Sequence, residues 1–145
     1  MPLLVSHLLW QSRAVPFAGF LQIGVSSLAQ RRTVVDGVPQ QGDIIKLDLN
    51  PRKGHEQQGF RPVIVLSNNI VSQYTNVVIV APISTTQRKL PLYRNLPDNL
   101  NTKGSVLLDQ LVTLDYKARS FQFVEKVPVD FLLQLLSVTQ RIFTV

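Results

Sequence analysis

The sequence predicts a mainly β domain: a small, strongly bent antiparallel sheet closed toward a barrel, with one helix at the C-terminus. Three observations lead there. The runs PVIVLS (62–67) and VVIVAPI (77–83) are continuous and rich in β-branched residues, as strands buried on both faces are. DIIKLDL (43–49) alternates, with Ile45, Leu47 and Leu49 on one face and Lys46 and Asp48 on the other. Beyond Pro128 an apolar stripe recurs at helical spacing.

The elements follow in order. Asn50-Pro51 ends the first strand and opens a polar, glycine-containing loop over 50–60. NNIVSQY (68–74), between the two buried runs, suits one or two helical turns with an asparagine cap. STTQRKL (84–90) is a second polar loop. PLYRNL (91–96) reads as an edge strand, because Pro91 has no N–H for a ladder. PDNLNTKG (97–104) is a loop, and SVLLDQLVTLD and RSFQFVEKV supply two or three further strands. In the helix, Phe131, Leu132, Leu135, Leu136, Thr139, Ile142 and Phe143 form the apolar stripe, and Leu133 and Val138 lie off it. Pro128 and Asp130 suit its start, where a missing N–H is harmless and a carboxylate meets the helix dipole.

Residues 1–38 differ from the remainder at 39–145. They are apolar but broken by Pro16, Gly19 and Gly24, and no stretch reaches membrane-spanning length without a charge or a breaker. Ser27-Leu28-Ala29 has the small-x-small spacing of a signal-peptide cleavage site, but no Lys or Arg precedes Leu3 and Arg13 falls in the would-be apolar core. The segment reads as a disordered extension or a start assigned too far upstream, and Asp36-Gly37 as a turn.

The chain carries 15 Lys and Arg against 9 Asp and Glu, a net +6, which favours anionic partners such as nucleic acid, a membrane surface or an acidic protein. Basic residues gather in the presumed loops, at Arg52, Lys53 and Arg61 and again at Arg88, Lys89 and Arg94. With no cysteine, disulfides and thiolate metal sites are excluded. His7 and His55 stand far apart, and Asp43, Asp48, Asp109 and Asp115 form no clear ligand cluster, so neither a metal nor a cofactor is expected. No phosphate-cradling glycine loop occurs.

What remains is GHEQQGFRP (54–62), which brings His55, Glu56 and Arg61 within seven residues, together with the hydroxyls of Ser84, Thr85 and Thr86 and the carboxylate of Asp109. This set could run metal-free RNA cleavage, in which the ribose 2′-hydroxyl attacks its own phosphorus. A guanidinium matches two phosphate oxygens, an imidazole can serve as acid or base, and a hydroxyl can hold a phosphate oxygen. The ordinary reading is a surface ion pair worth about 0–1 kcal/mol, a solvated histidine and a strand-end turn. Composition and spacing alone favour that ordinary reading.

The motif order adds a resemblance. GDIIKLDLNPRKGHEQQGFRPVIVLS, followed by VAPIS, GSVLLDQLVTLD and KAR, resembles the MazF/PemK/Kid family of toxins from toxin–antitoxin modules, closest to the Kid/PemK branch, over residues 41 to about 145. The resemblance implies an SH3-like barrel of the CcdB/PemK type with a C-terminal helix. It implies a homodimeric, cytoplasmic, metal-independent endoribonuclease that cuts single-stranded RNA to 2′,3′-cyclic phosphate and 5′-hydroxyl ends. A small acidic antitoxin is the implied partner. By the same resemblance Arg61 is the essential arginine, Ser84 the phosphate-holding hydroxyl, and His55, Glu56 and Asp109 the groups for proton transfer or substrate contact. Arg52, Lys53, Gln57, Thr85, Arg88 and Lys89 would hold RNA. The chain departs from the pattern in three places: Ser84 stands for the usual threonine, Leu107 for an arginine acting as acid beside the aspartate, and Lys46 for an apolar residue. The alternative is a non-catalytic toxin or binding module like CcdB, which shares the fold and acts by protein contact.

Overall fold

The computed structural model describes residues 37–86 and 88–145, all within one compact unit of the chain. The expected N-terminal extension therefore lies outside the described residues except for Gly37 and Val38, as does the Asp36 half of the expected turn.

Seven strands and two helices follow one another: β1 (Asp43–Asp48), β2 (Phe60–Val65), α1 (Asn69–Thr75), β3 (Val77–Ser84), β4 (Tyr93–Asn95), β5 (Ser105–Leu107), a 3-10 turn (Leu108–Gln110), β6 (Val112–Asp115), β7 (Gln122–Lys126) and α2 (Val129–Ile142). Every strand pairing is antiparallel, in the order β4-β5-β3-β2-β1-β7, with β6 added on β3. The sheet bends without closing, since β4 and β7 end the path unpaired with each other. The β1–β7 ladder shifts by one residue between Ile44 and Ile45, a bulge of the kind that bends a strand.

The two buried runs are buried because each face of the sheet has its own core. Ile45, Leu47, Leu49, Val63, Val65, Val78, Val80, Leu114 and Tyr116 fill the inside of the curl. Ile44, Ile64, Leu66, Ala81, Ile83, Val106 and Leu108 face the other way and are covered by Phe131, Leu135 and Val138 of α2. β1 keeps its alternation, because Lys46 and Asp48 remain in solvent.

Helix α1 starts where an asparagine was expected to cap it: Asn68 Oδ1 accepts from the N–H groups of Ile70 and Val71. Pro128 marks the start of α2 as expected: it is the N-cap, and its carbonyl accepts from Leu132 N–H at 3.0 Å. The buried face of α2 needs a correction, because it runs differently from the expected stripe. Val138 is 8% exposed, whereas Phe143 is 74% exposed and Ile142 lies at the helix end. Phe131, Leu135 and Val138 are spaced i, i+4, i+7, which is the narrow face one sheet can cover, and the helix outruns that sheet.

The segment 105–115 is one long partner for β3 with an interruption. Between the pairs Ile83↔Val106 and Val80↔Val112, residues 107–111 stand opposite only Ala81 and Pro82. The 3-10 turn takes up the excess. It sends Leu108 into the core and sets Asp109 and Gln110 outside the ladder.

Candidate active site

Arg61 is the second residue of β2 and pairs with Leu47 of β1. Alternation puts its side chain on the face of Val63 and Val65, at the rim of the inner core. Two oxygens of the preceding loop brace the guanidinium: Nε donates to Gln58 O at 2.7 Å, and a terminal nitrogen donates to Gln57 Oε1. Both acceptors are amide oxygens. Among the described residues the remaining N–H groups meet no further hydrogen-bond acceptor, and no ion pair with a carboxylate forms. The result is a half-buried, oriented and unneutralised cation.

Ser84 ends β3. The β2–β3 register runs Val65↔Val80, Ile64↔Ala81, Val63↔Pro82 and ends there; alternation puts Arg61, two residues before Val63, and Ser84, two residues after Pro82, on the same face. The Ser84 hydroxyl oxygen accepts from Thr86 N–H at 3.2 Å, which leaves the hydroxyl proton to donate. Ser84 pairs with Ser105 of β5, and the backbone approach beside that pair is close. Gly104 has φ +120°, and a Cβ on it would lie 2.4 Å from the Ser84 carbonyl oxygen. Only glycine fits there.

The loop between β1 and β2 is tied at both ends of its course. At its base Arg119 donates to the backbone carbonyls of Asp48 and Asn50. Farther out, Gln110 of the 3-10 turn accepts from Gln57 N–H at 3.3 Å and donates to His55 O at 3.5 Å. Of the predicted loop residues, Glu56 meets Arg52 in an exposed ion pair at 3.1 Å. His55 and Lys53 stand in solvent. Gln57, expected on RNA, turns its carbonyl oxygen to Arg61 in this structure. Thr85, Arg88 and Lys89 are exposed on the segment after β3.

Asp109 is exposed on the 3-10 turn, and Tyr93 donates its hydroxyl to Asp109 Oδ2 at 3.5 Å. No hydrogen bond joins Asp109 to Arg61, Ser84 or His55 among the described residues. Arg61 and Ser84 therefore share a face, Asp109 is joined to Tyr93, and Gln110 links the loop to the turn that carries Asp109. Tyr93, Gln110 and Gly104 were not singled out from the sequence. Gln110 was visible only as the neighbour of Asp109. Tyr93 had no signal at all, since its role follows from cross-strand pairing.

Glu125 of β7 supports the site from behind by organising the loop that ends in Gly104. Its carboxylate accepts from the N–H and hydroxyl of Thr102, both at 2.6 Å, and from Asn101 N–H at 3.0 Å. Burial pushes this carboxyl up, but the Thr102 and Asn101 hydrogen bonds and the nearby Lys103 charge outweigh it and hold the carboxyl below its usual 4.5. The folded value lies below the unfolded one. The stabilisation is therefore complete above the unfolded value and is lost as pH falls through the folded one. Glu125→Gln should lower stability at neutral pH by about 1 kcal/mol, after allowance for solvent screening. Thermal unfolding of both proteins should show that gap closing under acid. An equal gap at every pH would rule the linkage out.

Residues 40–143 match the family model of the PemK-like, MazF-like toxin of type II toxin–antitoxin system. Endoribonuclease PemK of Escherichia coli is 31% identical over 109 residues, covering 72% of this chain and 82% of that relative. The crystal structure of MazF from Deinococcus radiodurans has a TM-score of 0.69 at 30% identity, over 74% of this chain and 97% of that one. A MazE–MazF crystal structure from the same organism has a TM-score of 0.65 at 26% identity, over 73% of this chain and 96% of that one.

Proposed function

The chain belongs to the PemK-like, MazF-like family of toxins of type II toxin–antitoxin systems, and on that premise we propose that it is an endoribonuclease that cleaves single-stranded RNA. The observation that carries this reading is Arg61: a guanidinium braced by two amide oxygens, without a carboxylate, on the same face as a hydroxyl. Such a cation suits the charge that develops on a phosphorane, because its orientation is set before the substrate arrives.

In this reading Arg61 binds the phosphate oxygens and Ser84 donates to one of them. Asp109 takes the proton of the 2′-hydroxyl as that oxygen bonds to phosphorus. The bond from phosphorus to the 5′-oxygen breaks, and His55 or Arg61 supplies the proton the leaving oxygen needs. The products are a 2′,3′-cyclic phosphate and a 5′-hydroxyl. The nucleophile comes from the substrate, so the scheme requires no metal-bound water. Glu56 keeps Arg52 in place, and Lys53, Arg88 and Lys89 with Gln57 and Thr85 line the path of the RNA backbone. The toxin domain spans 39–145, with 1–38 as an extension. The domain acts as a homodimer in the bacterial cytoplasm under control of an acidic antitoxin. Two features support the antitoxin as partner: a solved relative is a MazE–MazF complex, and the chain is strongly basic. Among the described residues, no helix is long and apolar enough to cross a membrane.

The test is direct. Purified protein is incubated with a long single-stranded RNA in EDTA, and the ends of the fragments are identified. Cleavage with cyclic phosphate ends is the expected result. RNA binding should weaken with salt by a log–log slope of about −0.7 for each phosphate neutralised. A protein that arrests growth and leaves every RNA intact would instead act by protein contact.

A further inference from the structure

Asp109 sits on a 3-10 turn outside the ladder and is exposed, so its own segment does little to set its rotamer. Leu107, two residues earlier, is 3% exposed and apolar, and can neither donate to Asp109 nor orient it. The residue directly across the ladder from Leu107 is Tyr93 of β4, whose hydroxyl reaches Asp109 Oδ2 at 3.5 Å. We propose that Tyr93 is the positioning residue for Asp109, its phenol O–H holding one carboxylate oxygen so that the other faces the 2′-hydroxyl of the substrate. The inference rests on the reading of Asp109 as the base of an RNA-cleaving site.

Three features support it. Tyr93 is half-buried on a strand, so its ring is a firmer reference than any side chain of the exposed loop. Its hydroxyl is kept protonated: burial pushes the phenol up, the Asp109 charge and hydrogen bond add to that, and Arg88 opposes them. A protonated phenol facing a carboxylate can only donate to it. The contact is long, as hydrogen bonds of catalytic groups often are before substrate binds. Asp109 and Arg88 are the charged groups that act on the phenol. Tyr93 keeps its own proton throughout the reaction.

The experiment has two arms. The first needs no RNA. Nuclear magnetic resonance of ring-labelled tyrosines follows the ionisation of Tyr93 in the full chain and in Asp109→Asn. Ionisation at lower pH in Asp109→Asn is expected, and an unchanged titration would overturn the contact. The second arm measures single-turnover cleavage of a long single-stranded RNA. Tyr93→Phe keeps the ring and should slow cleavage about tenfold at saturating enzyme, with RNA affinity within about twofold and an unchanged melting temperature. The double variant Tyr93→Phe/Asp109→Asn should be no slower than Asp109→Asn alone. Full speed in Tyr93→Phe, or a loss confined to affinity, would overturn the proposal. If the unaltered protein cuts no RNA, the endoribonuclease reading fails, and the first arm still decides the contact.

Discussion

Arg61→Ala should lower the rate of RNA cleavage by about 100-fold or more and leave the protein folded. The size follows from what is lost. Removing one preorganised donor to a developing oxyanion costs roughly 100- to 1,000-fold in comparable sites, and here the group removed is a full cation on the same face as Ser84. The fold survives because Arg61 is half-buried at the end of β2 and its partners belong to the loop before it. Stability should drop by no more than about 1 kcal/mol. Arg61→Lys should recover little of the activity. An ammonium is a point charge, and it cannot reach Gln58 O and Gln57 Oε1 while presenting a fork to phosphate. Single-turnover cleavage followed on a gel, with a thermal melt for each variant, measures both effects. A folded Arg61→Ala that cleaves at full speed would sink the assignment of the phosphate site.

Gly104→Ala is the variant expected to damage the fold most for the least change in chemistry. A Cβ there meets the Ser84 carbonyl oxygen at 2.4 Å and the Ser84 carbonyl carbon at 2.8 Å. Both are backbone atoms, so no side-chain rotation relieves the clash, and φ +120° is itself strained for alanine. The expected cost is about 3 kcal/mol, seen as a melting midpoint lowered by roughly 10 °C or more. Cleavage should fall as well at temperatures where the variant remains folded, because the strand must shift at Ser84. Gly54→Ala is the comparison. Its φ is +62° with nothing within 4 Å of the added carbon, so it should cost only about 1 kcal/mol. Equal melting temperatures for the two alanine variants would show that the close approach to Ser84 is not tight in solution.

Much of this protein was legible before folding. The alternation of DIIKLDL, the double-sided burial of β2 and β3, the Asn68 cap and the edge position of β4 all appeared where the residues implied them. Arg61 stood out through its motif, GHEQQGFRP, whose resemblance to the toxin family marked it as the essential arginine. The C-terminal helix was legible as a helix but not as a face. Its buried side depended on how much of α2 the sheet covers, which shifted the contact from Phe143 to Val138.

By itself the sequence determined which segments are strands and helices, and which residue types could meet a phosphate. Those properties are local: β-branching, period and capping act within a few residues. Only the tertiary structure decided which groups work together. The β2–β3 register puts Arg61 and Ser84 on one face, and the three residues accommodated by the 3-10 turn bring Asp109 out of the ladder. The β4–β5 pairing then carries Tyr93 to it across Leu107. Register and interruption are settled by packing between residues far apart in the chain, so no window of sequence contains them.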